Sequence, residues 1–183
     1  MDATPVEWLQ TAPSLGVIGL LTLLALGAIS DLRHAKIPNR VTYSAMIGGL
    51  LLQTAHHGII GLGVSAAGLA VGTALFVAFY ALGGMGAGDV KFMGAVGSLV
   101  GLPDILSAVL VTALFGGVYA VGITIRSKGM GEGLREVLSF FLSCVLTGRL
   151  RSALASAEAQ PKLRYGMVIA IGTLAAQWWE GRL

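Results

Sequence analysis

Long uncharged runs of apolar residues, separated by short polar segments, are the feature that most limits how this chain can fold. Only 11% of the 183 residues are charged and 55% are hydrophobic, whereas soluble domains carry about 25% charged residues. A chain of this size cannot hide so much apolar surface inside a water-soluble globule. The pattern therefore predicts an integral membrane protein with the bilayer as its solvent.

The apolar runs predict an all-α, polytopic membrane helical bundle that forms a single domain over residues 1–183. Six runs are expected to be transmembrane helices: 13–29, 41–55, 59–82, 92–102, 105–125 and 165–179. A further apolar stretch at 137–147 is too short to span easily, so we expect a short interfacial or re-entrant helix there. Trp178 and Trp179 are typical of the aromatic belt at a membrane surface.

The positions of the Lys and Arg residues orient these runs. If the loop after the first run is cytoplasmic, eleven of the 12 basic residues fall on that side and only Arg182 falls outside. Basic residues accumulate in cytoplasmic loops, so both termini are predicted to be non-cytoplasmic. This topology brings Asp31, which ends the first run, and Asp89, which precedes the fourth, to the same membrane face. The other acidic residues, including Asp104, are expected in solvated tails or loops.

Asp31 and Asp89 are candidates for a catalytic pair. An ionisable residue at the mouth of an apolar helix is costly to place there and is a functional candidate for that reason. Two carboxylates that lie close together share one proton, so one can take a proton from water while the other polarises a scissile carbonyl. The glycine-rich stretch 83–91 around Asp89 permits backbone conformations closed to other residues.

Several other kinds of site are not expected. The phosphate-loop spacing Gly-x-x-x-x-Gly-Lys-[Ser/Thr] is absent, and no basic patch with interleaved aromatic residues indicates nucleic-acid binding. His34 is predicted to lie across the membrane from His56 and His57, so no metal site is predicted. The single cysteine, Cys144, excludes an internal disulfide. We predict no cofactor, and membrane lipid as the surroundings.

Two segments resemble the aspartate motifs of the type IV prepilin peptidases. Residues 31–42, Asp-Leu-Arg-His-Ala-Lys-Ile-Pro-Asn-Arg-Val-Thr, resemble the first motif, an Asp followed a few residues later by Ile/Leu-Pro-Asn/Asp. Residues 86–91, Gly-Ala-Gly-Asp-Val-Lys, match the second motif, Gly-x-Gly-Asp-[Phe/Val]-Lys. Residues 164–166, Arg-Tyr-Gly, are similar to the family's Pro-Tyr/Phe-Gly-Pro, but both prolines are missing and this third similarity carries little weight.

The resemblance implies an aspartyl endopeptidase of the bacterial inner membrane that serves type IV pili or protein secretion. Such enzymes cut prepilins and pseudopilins on the cytoplasmic face, after a glycine between a short basic leader and a hydrophobic helix. Asp31 and Asp89 would be the catalytic pair. The motif members expected to bind substrate or support the site are Gly86, Gly88, Lys91 and Asn39.

The cysteine content departs from that of longer members of the family. Those members carry an insert with paired Cys-x-x-Cys motifs and also N-methylate the new N-terminus with S-adenosylmethionine. This chain has one cysteine and no room for the insert before Asp31, so zinc and methylation are not expected. It looks like the short type that serves tight-adherence (Flp) pili, or the similar archaeal preflagellin enzymes.

Two other functions remain compatible with the same residues. A small transporter or channel component would use Asp31 and Asp89 as proton or cation sites, but internal repeats or broken helices near the membrane midplane would then be expected. An intramembrane protease of the presenilin kind would carry its acids deeper inside helices, with an aromatic residue beside the first. Here Ser30 and Leu32 flank Asp31.

Overall fold

The computed structural model describes residues 15–81, 85–129, 131–132, 135 and 164–183. Within these ranges the chain forms five helices and no strand, which confirms the predicted all-α class for this part of the chain. The helices are α1 (Leu15–His34), α2 (Asn39–Ala81), α3 (Ala87–Val100), α4 (Asp104–Lys128) and α5 (Tyr165–Trp179). The expected interfacial helix at 137–147 lies outside the described residues, as do Cys144 and residues 83 and 84 of the glycine stretch.

Three of these helices are long and apolar enough to cross a membrane. They are α1 with 20 residues, α2 with 43, and the 23 residues Asp104–Arg126 of α4. α3 has 14 residues and α5 has 15, fewer than the ~20 that a span needs. Six transmembrane helices are therefore not confirmed within the described residues, although the expected second and third runs both lie in α2.

α2 changes direction at Gly58. The φ and ψ angles of Gly58 are 59° and −140°, outside the helical region and in a region that glycine alone enters readily. The two arms of α2 then run along α3 in opposite directions. The contacts that show this are Asn39 with Lys91 and Gln53 with Leu99 for the first arm, and Ser65 with Ser98 and Gly72 with Met93 for the second.

α3 is the buried centre of the bundle. Phe92 and Met93 have no exposed surface, and α1 covers the Phe92 ring with Gly27, where a methyl group would overlap the ring. Gly68 of α2 and Gly97 of α3 approach so closely that a methyl group on either would overlap the carbonyl oxygen of the other. These two glycines therefore allow the backbones of α2 and α3 to pack closely.

Large apolar side chains cover the outer surface of the bundle. Leu51, Leu110 and Leu114 are 64%, 63% and 64% exposed. A surface of this kind is unfavourable in water and favourable against lipid, where leucine needs no polar partner. The described part of the chain therefore has the surface of a membrane protein.

One end of the bundle collects the last turn of α1 and the first turns of α2, α3 and α5. α1 runs antiparallel to α3, because Gly27 meets Phe92 while Gly19 meets Leu99. The start of α5 lies against the last turn of α1, where Gly166 contacts Asp31. We call this the aspartate end, because it brings Asp31 and Asp89 to the same end of the molecule, as the charge pattern predicted.

Candidate active site

Asp31 lies in the last turn of α1 and is only 5% exposed. Its Oδ2 accepts a hydrogen bond of 2.9 Å from the backbone N–H of Gly166, at the start of α5. The helix ends just beyond it, where the Ala35 N–H donates to the Asp31 carbonyl oxygen and Ala35 has a φ of 50°. The carboxylate is thus fixed where α1 gives way to the loop that leads into α2.

Asp89 lies in the first turn of α3 and is 7% exposed. Its Oδ2 accepts a hydrogen bond of 2.9 Å from the N–H of Gly86, the residue that precedes the helix, and its own N–H donates to the Gly86 carbonyl oxygen at 3.0 Å. A carboxylate in this position satisfies a backbone donor that the helix leaves unpaired and interacts favourably with the helix dipole. The short side chain is therefore held by its own helix.

The Asp89 carboxyl is electrostatically unusual. Its pKa is raised from the ordinary value near 3.8 to about 6: burial raises it most, the Gly86 N–H lowers it, and the charge of Asp31 raises it. Asp89 lies outside the three helices that are long enough to span. The charge of Asp31 is the smallest of the three causes, so burial affects the Asp89 pKa more than the neighbouring carboxyl does.

The start of α5 contacts Asp31, although sequence reasoning gave this segment little weight. Gly166 makes the contact, and the preceding residue, Tyr165, lies within the electrostatic influence of Asp89. Burial raises the pKa of the Tyr165 phenol, and the charge of Asp89 raises it further. The only signal in the sequence was the similarity of Arg164-Tyr165-Gly166 to a family segment, and the two missing prolines obscured it.

Lys91 and Asn39 form a second contact at the aspartate end. The Lys91 ammonium donates a hydrogen bond of 3.1 Å to the Asn39 Oδ1 and lies 5.3 Å from the centroid of the Tyr43 ring. α2 begins at Asn39, so this hydrogen bond ties the start of α2 to α3. The two motifs are thus joined by their own side chains.

The two motif glycines lie on either side of the α3 start. Gly86 is the residue before the helix, and its N–H donates to the Asp89 Oδ2. A methyl group on Gly88 would lie 3.8 Å from the Cβ of Ile37 in the loop after α1, which is an ordinary contact distance. Gly88 therefore places the α3 start beside the first motif without a steric requirement for glycine.

The opposite end of the bundle holds a third buried aspartate, and here the sequence expectation was wrong. Asp104 is 4% exposed and forms an ion pair with Arg182, which also lies 3.4 Å from Glu180. Asp104 was expected to be solvated in a loop. It is buried instead because it lies in the first turn of α4, where the segment after α5 folds back over it.

Histidines do not gather with the aspartates into a metal site. His34 ends α1 at the aspartate end, whereas His56 and His57 precede the bend of α2 at the opposite end. Among the residues that the structure describes, no group of three or more His, Cys, Asp or Glu side chains is placed to hold a metal ion.

A pair of interacting, buried carboxylates at a helix boundary is suited to acid–base chemistry on a bound water molecule. Residues 18–121 match the type IV leader peptidase family. This range includes Asp31 and Asp89 but ends before the Arg164-Tyr165-Gly166 segment. Comparison with curated proteins and comparison with solved structures gave no match.

Proposed function

Since the chain belongs to the type IV leader peptidase family and is accordingly a peptidase, we propose that it is a membrane-embedded aspartyl endopeptidase. Its substrates are prepilin-like or pseudopilin-like proteins, and its catalytic pair is Asp31 and Asp89. The leader is removed at the cytoplasmic face of the bacterial inner membrane, and both termini of the enzyme are on the other side. The substrate contributes a basic leader, a glycine at the cut and an apolar helix.

The observation that carries this proposal is the environment of the two aspartates. Both are nearly inaccessible to solvent, both accept a backbone N–H at a helix start, and they interact with each other. With a pKa of about 6, Asp89 is protonated near neutral pH far more often than an ordinary aspartate. A pair with one proton between them contains the acid and the base that peptide hydrolysis needs.

The reaction then requires only these two carboxyl groups and water. The ionised carboxylate takes a proton from water as the water oxygen attacks the scissile carbonyl carbon, and the protonated carboxyl gives its proton to the carbonyl oxygen. The resulting tetrahedral intermediate collapses as its C–N bond breaks: one of its hydroxyl groups returns a proton to Asp89, and the amine nitrogen takes the proton from Asp31, which restores the starting state of the pair. Asp89 is the acid and Asp31 the base in the first step, because burial favours the protonated form of Asp89.

Lys91 and Asn39 support the site from the side of the first motif. Their hydrogen bond fixes the start of α2 next to the start of α3, so the two aspartate motifs keep a constant relative position. The exposed face of this pair lies where an extended substrate segment approaches Gly86 and Gly88. A carbonyl or carboxylate of the substrate is a suitable acceptor for the remaining Lys91 donors.

The direct test is cleavage of a prepilin-like substrate by the purified chain in detergent micelles. Asp31→Asn and Asp89→Asn keep the shape of each side chain, but an amide can neither give nor take the proton that a carboxyl group transfers. Each variant is therefore expected to lower kcat by at least about 1,000-fold. Product is measured by mass spectrometry, which also identifies the bond that is cut.

Asp104→Asn is the matched control, because Asp104 is equally buried but lies at the opposite end of the bundle. It is expected to lower stability and to leave kcat of the folded protein close to the parental value. Full activity in either Asp31→Asn or Asp89→Asn would exclude the proposed pair. Equal losses in all three variants would mean that the assay reports folding instead of catalysis.

A further inference from the structure

We propose that the start of α5 is a third part of the active site, in which Gly166 is a positioning residue that fixes the Asp31 carboxylate for reaction. This inference rests on the proposed function, since it assigns a role in the same peptidase reaction. It concerns a segment outside the residues 18–121 that match the family.

Gly166 contacts Asp31 through its backbone, and the lack of a side chain on Gly166 leaves room for the Asp31 side chain. Its N–H donates to the Asp31 Oδ2 at 2.9 Å. A methyl group at Gly166 would lie 2.8 Å from the Asp31 Cβ and 3.0 Å from both Cγ and Oδ2. These distances are too short for carbon atoms in contact, so only glycine lets the N–H reach the carboxylate while the Asp31 side chain keeps its place.

The two residues that precede Gly166 lie at the same end of the bundle. The Arg164 guanidinium donates a hydrogen bond of 2.9 Å to the Leu32 carbonyl oxygen in the last turn of α1, whose carbonyls have no partner within the helix. The charge of Asp89 acts on the Tyr165 phenol. Arg164 and Gly166 therefore both hold the start of α5 against the last turn of α1, and a shift of α5 would move the Asp31 carboxylate relative to Asp89.

The inference is tested by comparing Gly166→Ala with Gly172→Ala, two substitutions on the same helix. A methyl group at Gly172 would overlap the backbone and hydroxyl of Thr112 in α4, far from the aspartates. Gly166→Ala is expected to lower kcat about 100-fold on a prepilin-like substrate, because a displacement of about 1 Å in a catalytic group has an effect of that order. KM should change little, since Gly166 does not bind the substrate.

Gly172→Ala is expected to lower the unfolding midpoint but to leave kcat of the folded protein near the parental value. A kcat for Gly166→Ala close to that of the parent would overturn the inference. So would equal losses of kcat in the two variants, because the effect would then come from α5 packing in general.

A second measurement is independent of catalysis and so separates this inference from the proposed function. The unfolding midpoint is compared for Gly166→Ala in the parental chain and in an Asp31→Gly background, which removes all three atoms that the methyl group would meet. The penalty of Gly166→Ala should shrink in that background, while the penalty of Gly172→Ala stays the same. An unchanged Gly166→Ala penalty would show that Asp31 is not its contact, even if the parental chain cleaves no substrate.

Discussion

Three buried aspartates illustrate how the surroundings of a residue decide its role. Asp104 forms an ion pair with the Arg182 guanidinium. Its charge is therefore compensated by a cation, and a structural role accounts for its burial. Asp31 and Asp89 instead accept backbone N–H groups, and burial raises the pKa of Asp89. The first arrangement holds a charge in place, whereas the second suits the proton transfer that we propose for the pair.

The raised pKa of Asp89 predicts a pH-dependent stability. The folded carboxyl titrates at about 6 and the unfolded one near 3.9, so the unfolded chain releases this proton first as pH rises. The contribution of protonated Asp89 is therefore complete below about pH 4 and is lost as pH rises through 6, by up to about 3 kcal/mol.

Chemical unfolding in detergent between pH 4 and 7 measures this effect. The Asp89→Asn variant cannot titrate at this position, so its free energy of unfolding should fall less over the same range than that of the parent. Identical pH dependence in the two proteins would contradict the assignment.

At the scale of the element, α2 depends on a single residue for its shape. Gly58 has a positive φ with ψ near −140°, so the two arms of α2 can run along α3 in opposite directions. Gly58→Ala is expected to destabilise the fold by about 1–3 kcal/mol, because a side chain strains this backbone conformation. Thermal unfolding in detergent provides the measurement.

Gly63 is the matched control for this substitution. It lies in the second arm of the same helix, in helical conformation, with no atom within 4 Å of an added methyl group. Gly63→Ala should be neutral or stabilising by up to about 1 kcal/mol, because alanine favours a helix over glycine. Equal destabilisation by both substitutions would show that the bend does not require glycine.

At the scale of the whole molecule, the ion pair between Asp104 and Arg182 connects the start of α4 with the segment after α5. Arg182→Met leaves a buried carboxylate without its cation and is expected to cost about 3 kcal/mol of stability. Asp104→Asn combined with Arg182→Met removes both charges and should recover a large part of that loss.

Arg40→Met is a control for the loss of a positive charge, because Arg40 is exposed. Its effect on the free energy of unfolding should stay within about 0.5 kcal/mol. If Arg182→Met is no more destabilising than Arg40→Met, the buried ion pair does not stabilise the bundle.

The amino-acid sequence alone was sufficient for properties that are carried locally along the chain. Apolar runs predicted helices with a lipid-facing surface, and the distribution of Lys and Arg predicted that Asp31 and Asp89 share one end of the bundle. The motif around each aspartate indicated the family. These inferences succeed because hydropathy, charge and motif spacing act over short stretches of sequence.

Only the tertiary structure decided which distant residues meet. The contact of Gly166 with Asp31, the burial of Asp104 under Arg182 and the bond between Lys91 and Asn39 each join segments that are far apart in sequence. No periodicity or local motif encodes such pairs, because they depend on how whole helices pack. Hydropathy and charge thus determined a membrane bundle with two acids at one end, and helix packing alone decided that the start of α5 contacts Asp31 there.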